Sequence, residues 1–134
     1  MDEDTRAFNR IMEAFGLPKG NDAEAAIRKH AIQSATKNAI EIPFRVMETA
    51  LRSMEVIKTM VAIGNPASVT DAGVGALCAR TAVIGAFLNV KVNSNDLDDK
   101  QFVGDVLQKA KEIVREAEEN EREILAMVEQ RLSK

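Results

Sequence analysis

The stretch GNPASVTDAGVGALCARTAVIGAFLNVKVN, residues 64–93, decides how this chain folds. Between Ala72 and Val90 it holds one charged residue, Arg80, in a protein that is 29% charged, so most sides of the segment must avoid water. Ala72, Ala76, Ala79, Ala82 and Ala86 recur at the spacing of one helix face, and their small side chains let another backbone approach closely. Val74, Leu77, Ile84, Phe87 and Leu88 put bulk around the rest of the axis. The reading is a central helix at about residues 68–91, buried on most sides. Its alanine face expects a close neighbour, missing from this chain or supplied by another subunit.

Working outward, Gly64-Asn65-Pro66 ends the preceding helix, as a C-cap glycine followed by proline should. That helix, residues 44–63, has Met47, Ala50, Leu51, Met54, Ile57 and Val61 on one face and Arg45, Glu48, Arg52 and Glu55 opposite. Pro43 belongs in its first turn, where a missing N–H is tolerated, which separates it from a helix over residues 23–41 capped by Asn21 or Asp22. At the front, Phe8, Ile11, Met12 and Phe15 form the apolar stripe of a helix over residues 4–15, ended at Gly16. Behind the central helix, Asn93, Ser94, Asn95 and Asp96 make a break, and Asp98 or Asp99 opens a last helix to Leu132. Its seam of Val103, Val106, Ala110, Ile113, Ala117, Ile124, Val128 and Leu132 suits a bundle, and the charged run at 116–123 is expected to be a solvated face. Strict alternation is absent, so the class is all-α: one domain, residues 1–134, a bundle of about five helices.

Composition excludes several functions. A net charge of -3 argues against a general nucleic-acid or acidic-membrane binder. The single cysteine, Cys78, rules out a disulfide framework and reads as a buried small hydrophobe. The single histidine, His30, rules out a multi-histidine metal site within one chain and reads as a partly exposed helix residue. MDEDTRAF opens acidic and polar, unlike a signal peptide, so a cytoplasmic location is expected. No P-loop, dinucleotide fingerprint, HExxH or nucleophile elbow occurs. What remains is a set of carboxylates and amides at breaks and helix ends: Asp2, Asp4, Asn65, Asp71, Asn89 and Asn93. Each has a plain alternative. Asp2 and Asp4 can complement a helix dipole, and Ser68 with Asp71 three residues on can form a capping box.

These residues also fall in a recognisable order. The acidic D-x-x-A-F start (Asp4, Ala7, Phe8), the turn Leu17-Pro18-Lys19, Pro43, the block from Gly64 to Val74 and the close Asn89-Val90-x-x-Asn93 resemble the formiminotetrahydrofolate cyclodeaminase family, found alone or as the C-terminal part of formimidoyltransferase-cyclodeaminase. Ala67 and Thr70 stand where that family often has Asn and Ser.

The resemblance implies an all-helical homodimer that converts 5-formiminotetrahydrofolate to 5,10-methenyltetrahydrofolate with release of ammonia, in histidine breakdown. The folate is substrate, and no metal or prosthetic cofactor is implied. Folate N10 closes onto the formimino carbon, and the amine must be protonated to leave, a step suited to a positioned carboxylic acid. The family's acidic motif puts that role on Asp4, with Asp2 beside it, and the resemblance makes Asn65, Ser68, Asp71, Asn89 and Asn93 the candidates for substrate binding. Lys19, Lys37 or Arg80 are candidates to meet the folate glutamate tail. It also implies a Gly- and Ser-rich helical segment ahead of the acidic motif, so the domain is expected to be N-terminally incomplete. Two other readings are methenyltetrahydrofolate cyclohydrolase and a non-catalytic helical assembly domain.

Overall fold

Asn21 opens the longest element in the chain: its side-chain oxygen accepts the Glu24 amide at 2.8 Å, and the helix then runs without a break from Asp22 to Ile63. The computed structural model describes residues 2–133. It contains α1 (Asp2–Phe15), α2 (Asp22–Ile63), a single 3-10 turn (Pro66–Ser68), α3 (Val69–Ser94) and α4 (Lys100–Leu132). Among the described residues there is no strand, and the all-α bundle stands.

The helix count is four rather than five, because Pro43 lies inside α2 instead of starting a new helix. The hydrophobic seam explains the continuity. Ile40, Met47, Met54 and Val61 recur every seven residues straight through the proline, and all four are fully buried. Val69, Ala76, Val83 and Val90 repeat the interval on α3, and Ala110, Ala117 and Ile124 on α4. A seven-residue repeat keeps one seam facing its neighbours along a supercoiled bundle, so α2, α3 and α4 share one core. Each large side chain buried in it contributes about 1.5–3 kcal/mol, enough to carry the helix past the one backbone bond that proline removes.

The central helix is buried on its small-residue face alone rather than on most sides, and the bulky side expected inside is left out. Its small residues Ala72, Gly73, Ala76, Ala79 and Ala86 found their close neighbours within the chain, in α2 and α4. At Gly73 an added Cβ would sit 3.5 Å from the Val128 side chain of α4. The bulky residues Val74, Leu77, Leu88 and Val92 are left exposed instead, Leu88 by 60%, and Cys78 is exposed with them. By length and composition the helix spanning Pro66–Ser94 could cross a membrane, yet only 33% of its most apolar window is buried. In α1 the same inversion occurs: Ala7 and Ala14 face α2, while Phe8, Met12 and Phe15 are exposed.

The charged run on α4 does more than meet solvent. Glu118 and Glu121 pair with Arg80, the one charge in the middle of α3, at 3.9 and 3.4 Å. Arg80 Nε and Glu121 Oε2 are shut off from water without a hydrogen bond to each other, so this pair is held by charge alone. Glu123 pairs with Lys58 of α2 and raises the Lys58 pKa, first by their hydrogen bond and then by its charge.

Candidate active site

α1 is laid across the middle of α2 by contacts at both its ends. At its C-terminus the Phe15 carbonyl, one of the last without a helical partner, accepts from the Arg28 guanidinium at 3.2 and 3.3 Å, and that guanidinium also stacks over the Phe15 ring. At its N-terminus Glu3 pairs with Arg45 of α2 at 3.5 Å. Ala7 packs between them against Ala39 and Ile42, with Ile11 alongside. The alanine lets the helix lie close, and this closeness sets where the acidic first turn falls.

It falls beside Pro43. Asp2, Glu3 and Asp4 line a groove of about 630 Å³ whose other walls are Ile42, Pro43 and Val46 of α2 and Ala82, Ala86 and Asn89 of α3. A smaller hollow of about 190 Å³ continues from it, lined by Asp4, Ala7, Phe8 and Ile11 of α1, Ala39 of α2, and Asn89 and Asn93 of α3. Asp4 and Asn89 line both. The result is an apolar trough with carboxylates on one wall and amides on the other, a form suited to a flat heteroaromatic ligand with a few polar edges.

Of the candidates read from the sequence, Asp2, Asp4, Asn89 and Asn93 are therefore brought together. Asn93 already has a partner, its Nδ2 donating to the Ala39 carbonyl at 3.0 Å. Asn65, Ser68 and Asp71 are not in this group: they sit at the other end of α3, where 18 residues at 1.5 Å each separate Asp71 from Asn89 by about 27 Å. There the expected capping box of Ser68 and Asp71 does not form. Ser68 makes no side-chain cap bond, its hydroxyl donates to the Asn65 carbonyl, and Asn65 Oδ1 accepts the Ala67 amide at 3.0 Å. Pro66 is the reason, since it starts a 3-10 turn ahead of α3 and makes Asn65 the cap.

Two of the three candidates for the glutamate tail are committed elsewhere. Arg80 is paired with α4, and Lys37 lies 4.5 Å over the Phe102 ring of α4. No α4 residue lines either hollow. Composition and periodicity gave no sign of Ala82, Ala86 and Val46 as groove walls. Ala82 and Ala86 were noticed as packing residues, and their smallness is what leaves the trough open.

This helical fold has known relatives. The chain belongs to the formiminotransferase-cyclodeaminase family, matched over residues 1–112. It is 34% identical over 131 residues to the formimidoyltransferase-cyclodeaminase of Gallus gallus, which covers 98% of this chain and 24% of that protein. To the methenyltetrahydrofolate cyclohydrolase of Methylorubrum extorquens it is 35% identical over 115 residues, 86% of this chain and 55% of the other. The chain thus spans from about a quarter to just over half of the curated relatives it matches. The fold is that of the crystal structure of formiminotetrahydrofolate cyclodeaminase from Thermotoga maritima, with a TM-score of 0.80, 21% identity, and coverage of 96% of this chain and 60% of that one.

Proposed function

We propose that the trough between α1, α2 and α3 binds a tetrahydrofolate and that the protein is a formiminotetrahydrofolate cyclodeaminase. The observation that carries this reading is that Asp4 and Asn89, from the two ends of the family-like sequence, line the same hollow. The formimino group is an amidine, cationic when protonated, and a carboxylate wall complements it. Folate N10 attacks the formimino carbon, forming the N10–C bond and a tetrahedral centre in which N10 carries one proton too many. Asp4 takes that proton and delivers it to the NH2 on the same carbon. The C–N bond then breaks, ammonia leaves with the electron pair, and the methenyl bridge remains as a cation. One carboxylate serves as base and then acid, so the step needs neither a redox change nor a prosthetic group. Asp2 lies beside it, and in this reading Asn89 donates to the pterin edge. In this reading the protein is cytoplasmic, acts in histidine breakdown and is a homodimer. The exposed stripe Val74, Leu77, Leu88 and Val92 supports the last point, since a continuous apolar helix face favours a partner.

Incubation with 5-formiminotetrahydrofolate should produce methenyl absorbance and ammonia in equal amounts. Absence of both products rejects the reading. The cyclohydrolase relative favours a second one, in which the same trough hydrolyses the methenyl bridge. Faster turnover of 5,10-methenyltetrahydrofolate than of the formimino compound would select it.

A further inference from the structure

Pro43 has no N–H, so the carbonyl four residues back, that of Ala39, loses its helical donor. Ala39 is buried, and a buried carbonyl left without a partner destabilises the fold. Its donor arrives from another helix and from 54 residues further along the chain: Asn93 Nδ2 of α3, at 3.0 Å. The bond lies in the wall of the smaller hollow, which shares Asp4 and Asn89 with the larger. Pro43 is a wall of the larger, Ala39 and Asn93 are walls of the smaller, and Asp4 and Asn89 line both. Asn89 lies one helical turn from Asn93 on α3, and Asp4 is carried by α1, whose Ala7 packs against Ala39 itself.

We infer that Asn93 is a positioning residue for this site. By completing the carbonyl that Pro43 orphans, it pins α3 to α2 at the register where Asn89 stands across the trough from Asp4. The proline opens one wall of the trough and creates an acceptor, and the asparagine uses that acceptor as a peg. Its amide acts on the ligand through Asn89 and Asp4 rather than by touching it. The turnover part of this inference rests on the folate reading above, while the peg itself does not.

The test is a double-mutant cycle, because Pro43→Ala returns an N–H to residue 43 and so makes the peg redundant. Asn93→Ala is expected to lower Tm by about 5 °C, and Asn93→Asp, which keeps the size and loses the donor, by a similar amount. In the Pro43→Ala background the same changes should cost less than a third as much. Equal losses in the two backgrounds, or no loss in either, would overturn the peg. Positioning is read separately, from the side-chain amide resonances of Asn89 and the carboxyl resonance of Asp4 in the protein without ligand. Both should move on Asn93→Ala in the wild-type background and move much less on the same change made in Pro43→Ala. Shifts confined to residues 39–43 would reduce Asn93 to a purely structural role. With 5-formiminotetrahydrofolate, kcat/KM well below Tm should fall at least 10-fold on Asn93→Ala in the wild-type background and less than threefold on the same change made in Pro43→Ala, each measured against its own parent. An equal loss in the two backgrounds would mean that Asn93 contacts the substrate directly. Failure of wild-type turnover sinks the folate reading alone, since the melting and resonance cycles need no ligand.

Discussion

The two ends of α3 carry the same kinds of residue and do different things with them. At its start Asn65, Ser68 and Asp71 are asparagine, hydroxyl and carboxylate beside a proline, and at its close Asn89 and Asn93 are amides opposite Asp4, again beside a proline. In the first group Asn65 and Ser68 spend polar atoms on their own backbone: Asn65 Oδ1 accepts from the Ala67 amide and the Ser68 hydroxyl donates to the Asn65 carbonyl. The second group has α1 laid over it, and Asn89 is left facing a trough. Polar residues at a helix end become a turn when the chain folds back on them locally. They become a site when another helix holds them apart. Pro66 tightens a turn, whereas Pro43, held in line by the buried seam, hands an acceptor to a distant helix.

The sharpest way to break this contrast is to remove one carboxylate from each end. Asp4→Asn should reduce turnover roughly 100- to 10,000-fold with Tm unchanged, while Asp71→Asn should leave both near wild type. A comparable loss from Asp71→Asn would show that the two ends meet across two copies of the chain. Stability divides the ends in the reverse sense. Gly64 has an ordinary negative φ of -74°, and it is glycine because an added Cβ would lie 2.3 Å from the Met60 carbonyl oxygen. Gly64→Ala should therefore cost about 1–3 kcal/mol in a denaturant titration. Gly85, toward the other end, has nothing within 4 Å of such a Cβ, and Gly85→Ala should stabilise by about 0.5–1 kcal/mol through helix propensity. If Gly85→Ala instead destabilises only at high protein concentration, a second backbone is packing there.

The smallest expected effect is electrostatic and lies on α4. The folded Lys58 pKa is raised by Glu123, so the pair's contribution is complete below the unfolded lysine value of about 10.4 and disappears as pH rises through the folded one. Lys58→Met should melt slightly below wild type at neutral pH, and the gap should close in strong alkali. Lys58 is partly exposed and Glu123 more so, and 0.5 M salt should shrink the gap as well.

Features whose causes lie within one turn could be read from the sequence. Asn21, Asp99 and the Gly64 stop are where they were expected, since each cap bonds a group three or four residues away. The unbroken passage of α2 through Pro43 was missed because the compensating donor is Asn93, on another helix. A local clue existed all the same: the interval Ile40, Met47, Met54, Val61 does not change at the proline. The stripe of α1 expected inward, Phe8 among it, lies largely outward, and α3, expected to be buried on most sides, leaves Leu88 exposed. Hydrophobicity identifies a stripe, but three-helix contact here selects small side chains that let backbones close up. For the site, spacing offered only a scatter of polar residues. Family resemblance singled out Asp2, Asp4, Asn89 and Asn93, which the fold brings together, and also Asn65, Ser68 and Asp71, which it holds at the far end of α3.

Cys78 gives the exposed face of α3 a built-in reporter. It is the only thiol in the chain and lies within a turn of Val74, Leu77 and Thr81 on the side left exposed among the described residues. Its rate of alkylation is therefore an occupancy meter for that face. The protein concentration at which the reaction slows measures, without any label or mutation, the affinity of whatever copy or segment comes to lie there.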